Sequence, residues 1–104
     1  MLDYLVGMSE RTAPSLAKLD ELLPVLRDLP AGDDQARLVE EAEALRRAVA
    51  AFHMEAIRFR MHAVDRLVHT LGDDARVRSL FDELRAALEA AGFHTRSHSA
   101  PASS

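Results

Sequence analysis

The longest stretch without a helix-breaking residue runs from Asp33 to Leu71, between Gly32 and Gly72, and it contains neither Gly nor Pro. Its apolar residues alternate in steps of three and four, the spacing that keeps one side of a helix apolar. They form a first apolar stripe: Leu38, Ala42, Leu45, Val49, Phe52, Ala56, Phe59, Ala63 and Leu67. The pattern predicts one helix over about 34–71, roughly 55 Å long and far above the usual three turns.

A second apolar stripe occupies only the C-terminal half of this predicted helix, about 100–150° around it from the first stripe. Its members are Ala50, Met54, Ile57, Met61, Val64, Val68 and Leu71. Residues 2–29 are long enough to cover the first stripe, and residues 74–91 are long enough to cover only the second. These lengths predict an all-α, antiparallel three-helix bundle with a long central helix and short connections. Gly72 and Gly92 are predicted to end the second and third helices.

A competing arrangement places the first and third helices end to end on the first stripe and leaves the second exposed. An exposed stripe of that size needs a partner, most simply a second copy of the chain in a homodimeric helical bundle. The residues predicted at such an interface are Ala50, Met54, Ile57, Met61, Val64 and Val68.

The sequence of residues 53–62 reads nearly the same in both directions. Two copies crossing near Ile57 would therefore place Glu55 against Arg60 of the partner subunit.

The chain of 104 residues is predicted to form a single domain over residues 1–92. Residues 93–104 are polar, rich in Ser and without apolar periodicity, so this tail is predicted to be disordered. The start of the chain has no basic segment followed by a long apolar run, and no stretch is long and apolar enough for a membrane span. We therefore expect a cytoplasmic protein without a membrane partner.

Composition excludes several classes of site. The absence of Cys rules out disulfides, Cys-ligated zinc, iron–sulfur clusters and thiol catalysis. The net charge is −4 and Lys18 is the single Lys, so nucleic-acid binding is not expected.

Charge is distributed unevenly along the predicted central helix. Residues 31–43 carry five acidic side chains against one Arg, whereas residues 44–71 carry five Arg against two acidic side chains. Acid at the start of a helix and base towards its end is the order that the helix dipole favours.

A polar strip follows one side of the C-terminal half of the predicted central helix. The pairs His62/Asp65 and Asp65/His69 have spacings at which two side chains meet on one helix face. Imidazole and carboxylate groups suit Zn²⁺ or another divalent transition metal. The candidate metal ligands are His62, Asp65, His69, Glu55 and His53. His62 and His69 are two turns apart, so another helix or chain would have to complete the site; the alternative is a solvated face of surface ion pairs.

No sequence motif supports catalysis. The chain has no Gly-rich phosphate loop and no Gly-x-Ser-x-Gly nucleophile turn. The sequence therefore predicts a non-catalytic helical module that acts in interaction, oligomerisation or regulation, with another protein or a second copy as its partner. The alternative is a metal-binding helical protein that uses the polar strip.

Overall fold

The computed structural model describes the backbone of residues 2–95 and the side chains of residues 10–95. This part of the chain is all-helical and without strands, which confirms the predicted all-α class. It consists of four helices: α1 (Leu2–Arg27), α2 (Asp33–Ala50), α3 (Met54–Thr70) and α4 (Ala75–Ala90). Within the same residues, no helix combines the length and the apolar character needed to cross a membrane.

A turn at residues 51–53 divides the predicted long central helix into α2 and α3, so one continuous helix over 34–71 is wrong. Phe52 adopts a left-handed φ of 62°. The N–H groups of Phe52 and His53 donate to the carbonyl oxygens of Val49 and Ala48, each at 3.0 Å. This is the Schellman arrangement that ends many helices, usually with Gly at the left-handed position. The described residues therefore form four helices where the sequence predicted three.

The ends of α3 and α4 have the same arrangement with glycine in place, at Gly72 (φ 99°) and Gly92 (φ 98°), as the sequence predicted. Phe52 carries a Cβ, so its left-handed backbone costs about 1–2 kcal/mol. Contacts of its ring offset this cost. The ring packs edge-to-face on Phe93 with centroids 5.1 Å apart, and the Arg11 guanidinium lies 5.2 Å from its centroid. The turn is thus held by α1 and by the residues that follow α4.

The four helices pack around one shared core. α1 packs along both α2 and α4, and α2 packs along α3, whereas the backbones of α3 and α4 approach each other less closely. Half-exposed ion pairs link each neighbouring pair: Asp20–Arg46 (α1–α2), Glu41–Arg60 (α2–α3), Asp65–Arg78 (α3–α4) and Lys18–Glu83 (α4–α1). Exposed ion pairs contribute little to stability. Burial of apolar side chains therefore carries most of the stability of the bundle.

The core contains the N-terminal members of the first predicted stripe, on α2, and the central members of the second, on α3. The fully buried residues of α2 are Leu38, Ala42, Leu45 and Val49, and those of α3 are Ile57, Met61 and Val64. Phe59 was predicted on the first stripe, but its side chain is 63% exposed. Because a new helix begins after the turn, α3 packs with Ile57, Met61, Val64 and Val68 of the second stripe and Leu67 of the first stripe inward. Phe59 then lies on the outside.

The predicted interface residues separate into two groups. The first group lies in the chain's own core and is not available as an intermolecular surface in this fold: Ile57, Met61, Val64 and Val68. Ala50 and Met54 remain exposed. The Ile57 side chain cannot contact a second copy while α3 is packed in the bundle, because it is 0% exposed within one chain.

The start of the predicted tail is packed rather than free. Phe93 and Thr95 are 2% and 4% exposed, so both belong to the folded part of the chain. The Thr95 hydroxyl accepts a hydrogen bond from Arg85 at 3.1 Å and donates one to Glu89 at 3.2 Å. The prediction of disorder for residues 96–104 lies outside the described residues.

Candidate interaction surface

The predicted metal ligands do not converge on one point. His53 lies at the turn before α3, and its Nδ1 accepts a hydrogen bond from the backbone N–H of Ala56 at 3.2 Å. This bond caps the first turn of α3, a structural use of the side chain. Glu55 and His62 are exposed on α3. Within residues 10–95, no three His, Asp or Glu side chains are grouped so that they could hold a metal ion.

The other two predicted ligands take part in the junction between α3 and α4. Asp65 accepts a hydrogen bond from Arg78 at 2.7 Å, and the same guanidinium donates to Asp73 at 2.6 Å. His69 Nδ1 lies 2.7 Å from a carboxylate oxygen of Asp73. Asp65 and His69 therefore join α3 to the turn and to α4, instead of forming the pair that their spacing predicted.

Hydrogen bonding at this junction shifts two ionisation equilibria. The Arg78 guanidinium, followed by the His69 imidazole, holds the pKa of Asp73 below its ordinary value. Hydrogen bonds to Asp65 and Asp73 raise the pKa of Arg78 above its ordinary value. The junction is therefore fully formed only when the Asp73 carboxyl group is ionised.

We expect acid to weaken the junction. A carboxylate with a lower pKa in the folded chain than in the unfolded chain stabilises the fold above the unfolded pKa, about 3.9 for Asp. That contribution is lost as the pH falls through the lower, folded pKa. The urea midpoint should therefore fall as the pH drops below about 4, and Asp73→Asn should reduce this dependence. The control is Asp82→Asn, at an exposed position on α4. An equal pH dependence in wild type and Asp73→Asn would contradict a stabilising role of the ionised Asp73 carboxylate.

Metal binding has a separate test. Because the candidate ligands are dispersed, Zn²⁺, Ni²⁺ or Co²⁺ should leave the unfolding midpoint almost unchanged. A site occupied at a hundredfold above its dissociation constant would instead add about 2.7 kcal/mol of stability. Thermal melts of wild type and His62→Ala, each with and without metal, measure the difference. Stabilisation of wild type that His62→Ala abolishes would establish the metal alternative.

The outward side of α3 is the most distinctive surface of the described chain. Its residues repeat at three- and four-residue intervals, so they lie on one helix face, opposite the buried side chains. We call this surface the outer α3 face: Glu55, Arg58, Phe59, His62, Arg66 and His69. All six side chains are exposed, and they combine an aromatic ring with charged and imidazole groups.

Phe59 is the unusual member of this surface. The other Phe side chains of the described chain are packed: Phe81 and Phe93 are buried and Phe52 is half-buried. Phe59 is 63% exposed, and its ring lies 5.3 Å from the guanidinium carbon of Arg60. The other exposed large apolar side chains of residues 10–95 are Met54 and Leu71, at the two ends of α3.

The two arginines of the outer α3 face are not engaged by neighbouring helices. Arg58 and Arg66 form no ion pair with another described residue, whereas the Arg60 side chain donates to Glu41 of α2 at 2.9 Å. An exposed aromatic ring and Arg side chains that form no ion pair, present on one helix face, are residue types enriched at protein interfaces.

The sequence predicts part of this surface. The pattern places Glu55, Arg58, His62, Asp65 and His69 on one polar strip but does not include Phe59 or Arg66. The available signal is partial: of the four neighbours of Phe59 three and four residues away, Glu55 and His62 are polar, whereas Ala56 and Ala63 are small and apolar. The first-stripe pattern outweighs that signal, because it predicts one helix that continues through Phe52.

Comparison with known proteins identifies no relative. The chain matches no protein-family model, no curated protein and no solved structure.

Proposed function

We propose that this protein is a non-catalytic interaction module that binds a protein partner through the outer α3 face. The observation that carries the proposal is the 63% exposure of Phe59 on a rigid helix whose opposite side is in the core. Burying an exposed aromatic ring against a partner releases apolar surface from water and is a common source of binding free energy. Exposed charged groups around such a ring supply orientation and specificity.

The position of the surface also supports this function. Ile57, Met61 and Val64, all fully buried, fix α3 on the bundle. The backbone beneath Phe59 is therefore ordered before binding, so little conformational entropy is lost when a partner docks. A helix face of this kind is a recurring recognition element in protein complexes.

Site-specific photo-crosslinking tests the proposal. Benzoylphenylalanine replaces Phe59 in the full chain, and the control carries it at Ser79, an exposed position on α4. Adducts formed in the native organism are identified by mass spectrometry, and binding is then reconstituted from purified components. We expect adducts at position 59 that are absent at position 79. In the reconstituted complex, Phe59→Asp should weaken binding at least about tenfold while Ser79→Asp leaves it unchanged.

Two results would contradict the proposal. Equal crosslinking at positions 59 and 79, or binding that survives Phe59→Asp, would show that the outer α3 face is not the binding surface. Both substitutions are at exposed positions, where the expected change in stability is within about 0.5 kcal/mol. Thermal melts of each variant separate loss of binding from loss of folding.

A further inference from the structure

We infer that the partner of the outer α3 face is a second copy of this chain, packed as an antiparallel pair of α3 helices. This inference rests on the proposed function, because it names the occupant of the same surface. In the inferred register, Phe59 lies against His62 of the partner subunit and Glu55 lies against Arg66 of the partner subunit.

The spacing of four side chains supports helix pairing. Glu55, Phe59, His62 and Arg66 follow one another in steps of four, three and four residues, and all four are exposed. This is the alternation of the contact positions in a two-stranded coiled coil. The repeat continues to His69 at the end of α3, so the contact positions span nearly the whole helix.

The charges on these positions decide the orientation of the pair. In a parallel pair each residue would face its own copy, which would set Glu55 against the partner's Glu55 and Arg66 against the partner's Arg66. Like charges directly opposed are unfavourable. In the antiparallel pair the two-fold axis places Glu55 opposite the partner's Arg66 twice, so both like-charge contacts become opposite-charge contacts.

The same antiparallel register covers the exposed aromatic ring. Each Phe59 packs against His62 of the partner subunit, and the axis produces this ring contact twice. Arg58 lies on one flank of the contact positions, on the side that faces Asp65 of the partner subunit. About three helical turns are in contact, so the buried area is at the low end for protein interfaces. We therefore expect a weak dimer, with a dissociation constant in the micromolar range or above.

Charge reversal with rescue tests the register. Sedimentation equilibrium of the untagged full chain, from about 5 µM to 1 mM, should show monomers and dimers. Glu55→Arg and Arg66→Glu should each weaken dimerisation at least about tenfold, because each opposes like charges twice. The double variant Glu55→Arg/Arg66→Glu should return the association to near the wild-type value. The matched control is Glu40→Arg, at an exposed position on α2. This variant should dimerise as wild type does.

Engineered cysteines give an independent test, because the chain contains no Cys. A mixture of Glu55→Cys and Arg66→Cys chains should form a disulfide-linked dimer on oxidation, since the two positions are opposed. Glu55→Cys alone should not, because its two copies would be about 16 Å apart along the helices. The mixed pair keeps one wild-type Glu55–Arg66 contact, so the dimer is still favoured.

The outcomes separate this inference from the proposed function. A wild-type chain that is monomeric at 1 mM, or a dimer that the double variant fails to restore, overturns the inference. If photo-crosslinking at position 59 then captures a different protein, the interaction function stands with another partner. If position 59 captures neither a second copy nor another protein, the proposed function fails as well.

Discussion

Ile57→Asp should unfold the protein or remove most of its stability. Ile57 is 0% exposed and is the first of the core residues that α3 contributes, and the substitution places a carboxylate there without a partner. Burying an unpaired charged group costs several kcal/mol, against a total of about 5–15 kcal/mol for a domain. Urea denaturation followed by circular dichroism measures the loss, seen as a shift of the midpoint or as an unfolded spectrum in buffer.

The control for this change is Glu55→Ala, two residues earlier on the outer α3 face. Its side chain is exposed, so the free energy of unfolding should change by less than about 0.5 kcal/mol. Equal and small effects of Ile57→Asp and Glu55→Ala would show that α3 does not pack with its second stripe inward. That result would reopen the intermolecular use of Ile57, Met61 and Val64.

Phe93→Ala should destabilise the protein by about 3 kcal/mol, whereas Phe59→Ala should change stability by less than about 0.5 kcal/mol. The two substitutions remove the same ring from opposite environments. Phe93 is 2% exposed and packs on Phe52, while Phe59 is 63% exposed. Loss of the Phe93 ring also removes a contact that holds Phe52 in its left-handed conformation. Chemical denaturation of both variants with wild type measures the difference.

An effect of Phe93→Ala as small as that of Phe59→Ala would contradict the packing of residues 93–95. Those residues would then belong to the disordered tail that the sequence predicts. Truncation provides a second comparison. Removing residues 96–104 leaves Phe93 and Thr95 in place, and removing residues 93–104 eliminates both buried side chains. Only the longer deletion should lower the melting temperature by several degrees.

The turn at Phe52 connects the fold to the proposed surface. One straight helix through this point would keep Phe59 on the same side as Leu45 and Val49, which are buried. The turn lets α3 fold back on α2 with Ile57 facing the core. Phe59 then faces away from the bundle, and this orientation creates the outer α3 face.

The sequence by itself determined the helical class and much of the burial. Helical spacing and the scarcity of Gly and Pro act through local backbone preferences, which need no distant contact to be recognised. The same local chemistry set the helix ends at Gly72 and Gly92 and the cap of α4. The Asp74 carboxylate accepts hydrogen bonds from the N–H groups of Arg76 and Val77 at 3.0 and 3.1 Å, the side-chain cap typical of a helix N-terminus.

The tertiary structure alone decided where the long helix breaks and which face of α3 meets water. No glycine marks position 52, so the local pattern favoured a continuous helix. The left-handed backbone there is stabilised by Arg11 and Phe93, which are about forty residues away along the chain in either direction. Asp65 likewise binds Arg78 of the next helix instead of His69. Contacts between distant residues outweighed local preference at each of these points, because their combined free energy exceeds the cost of one unfavourable turn.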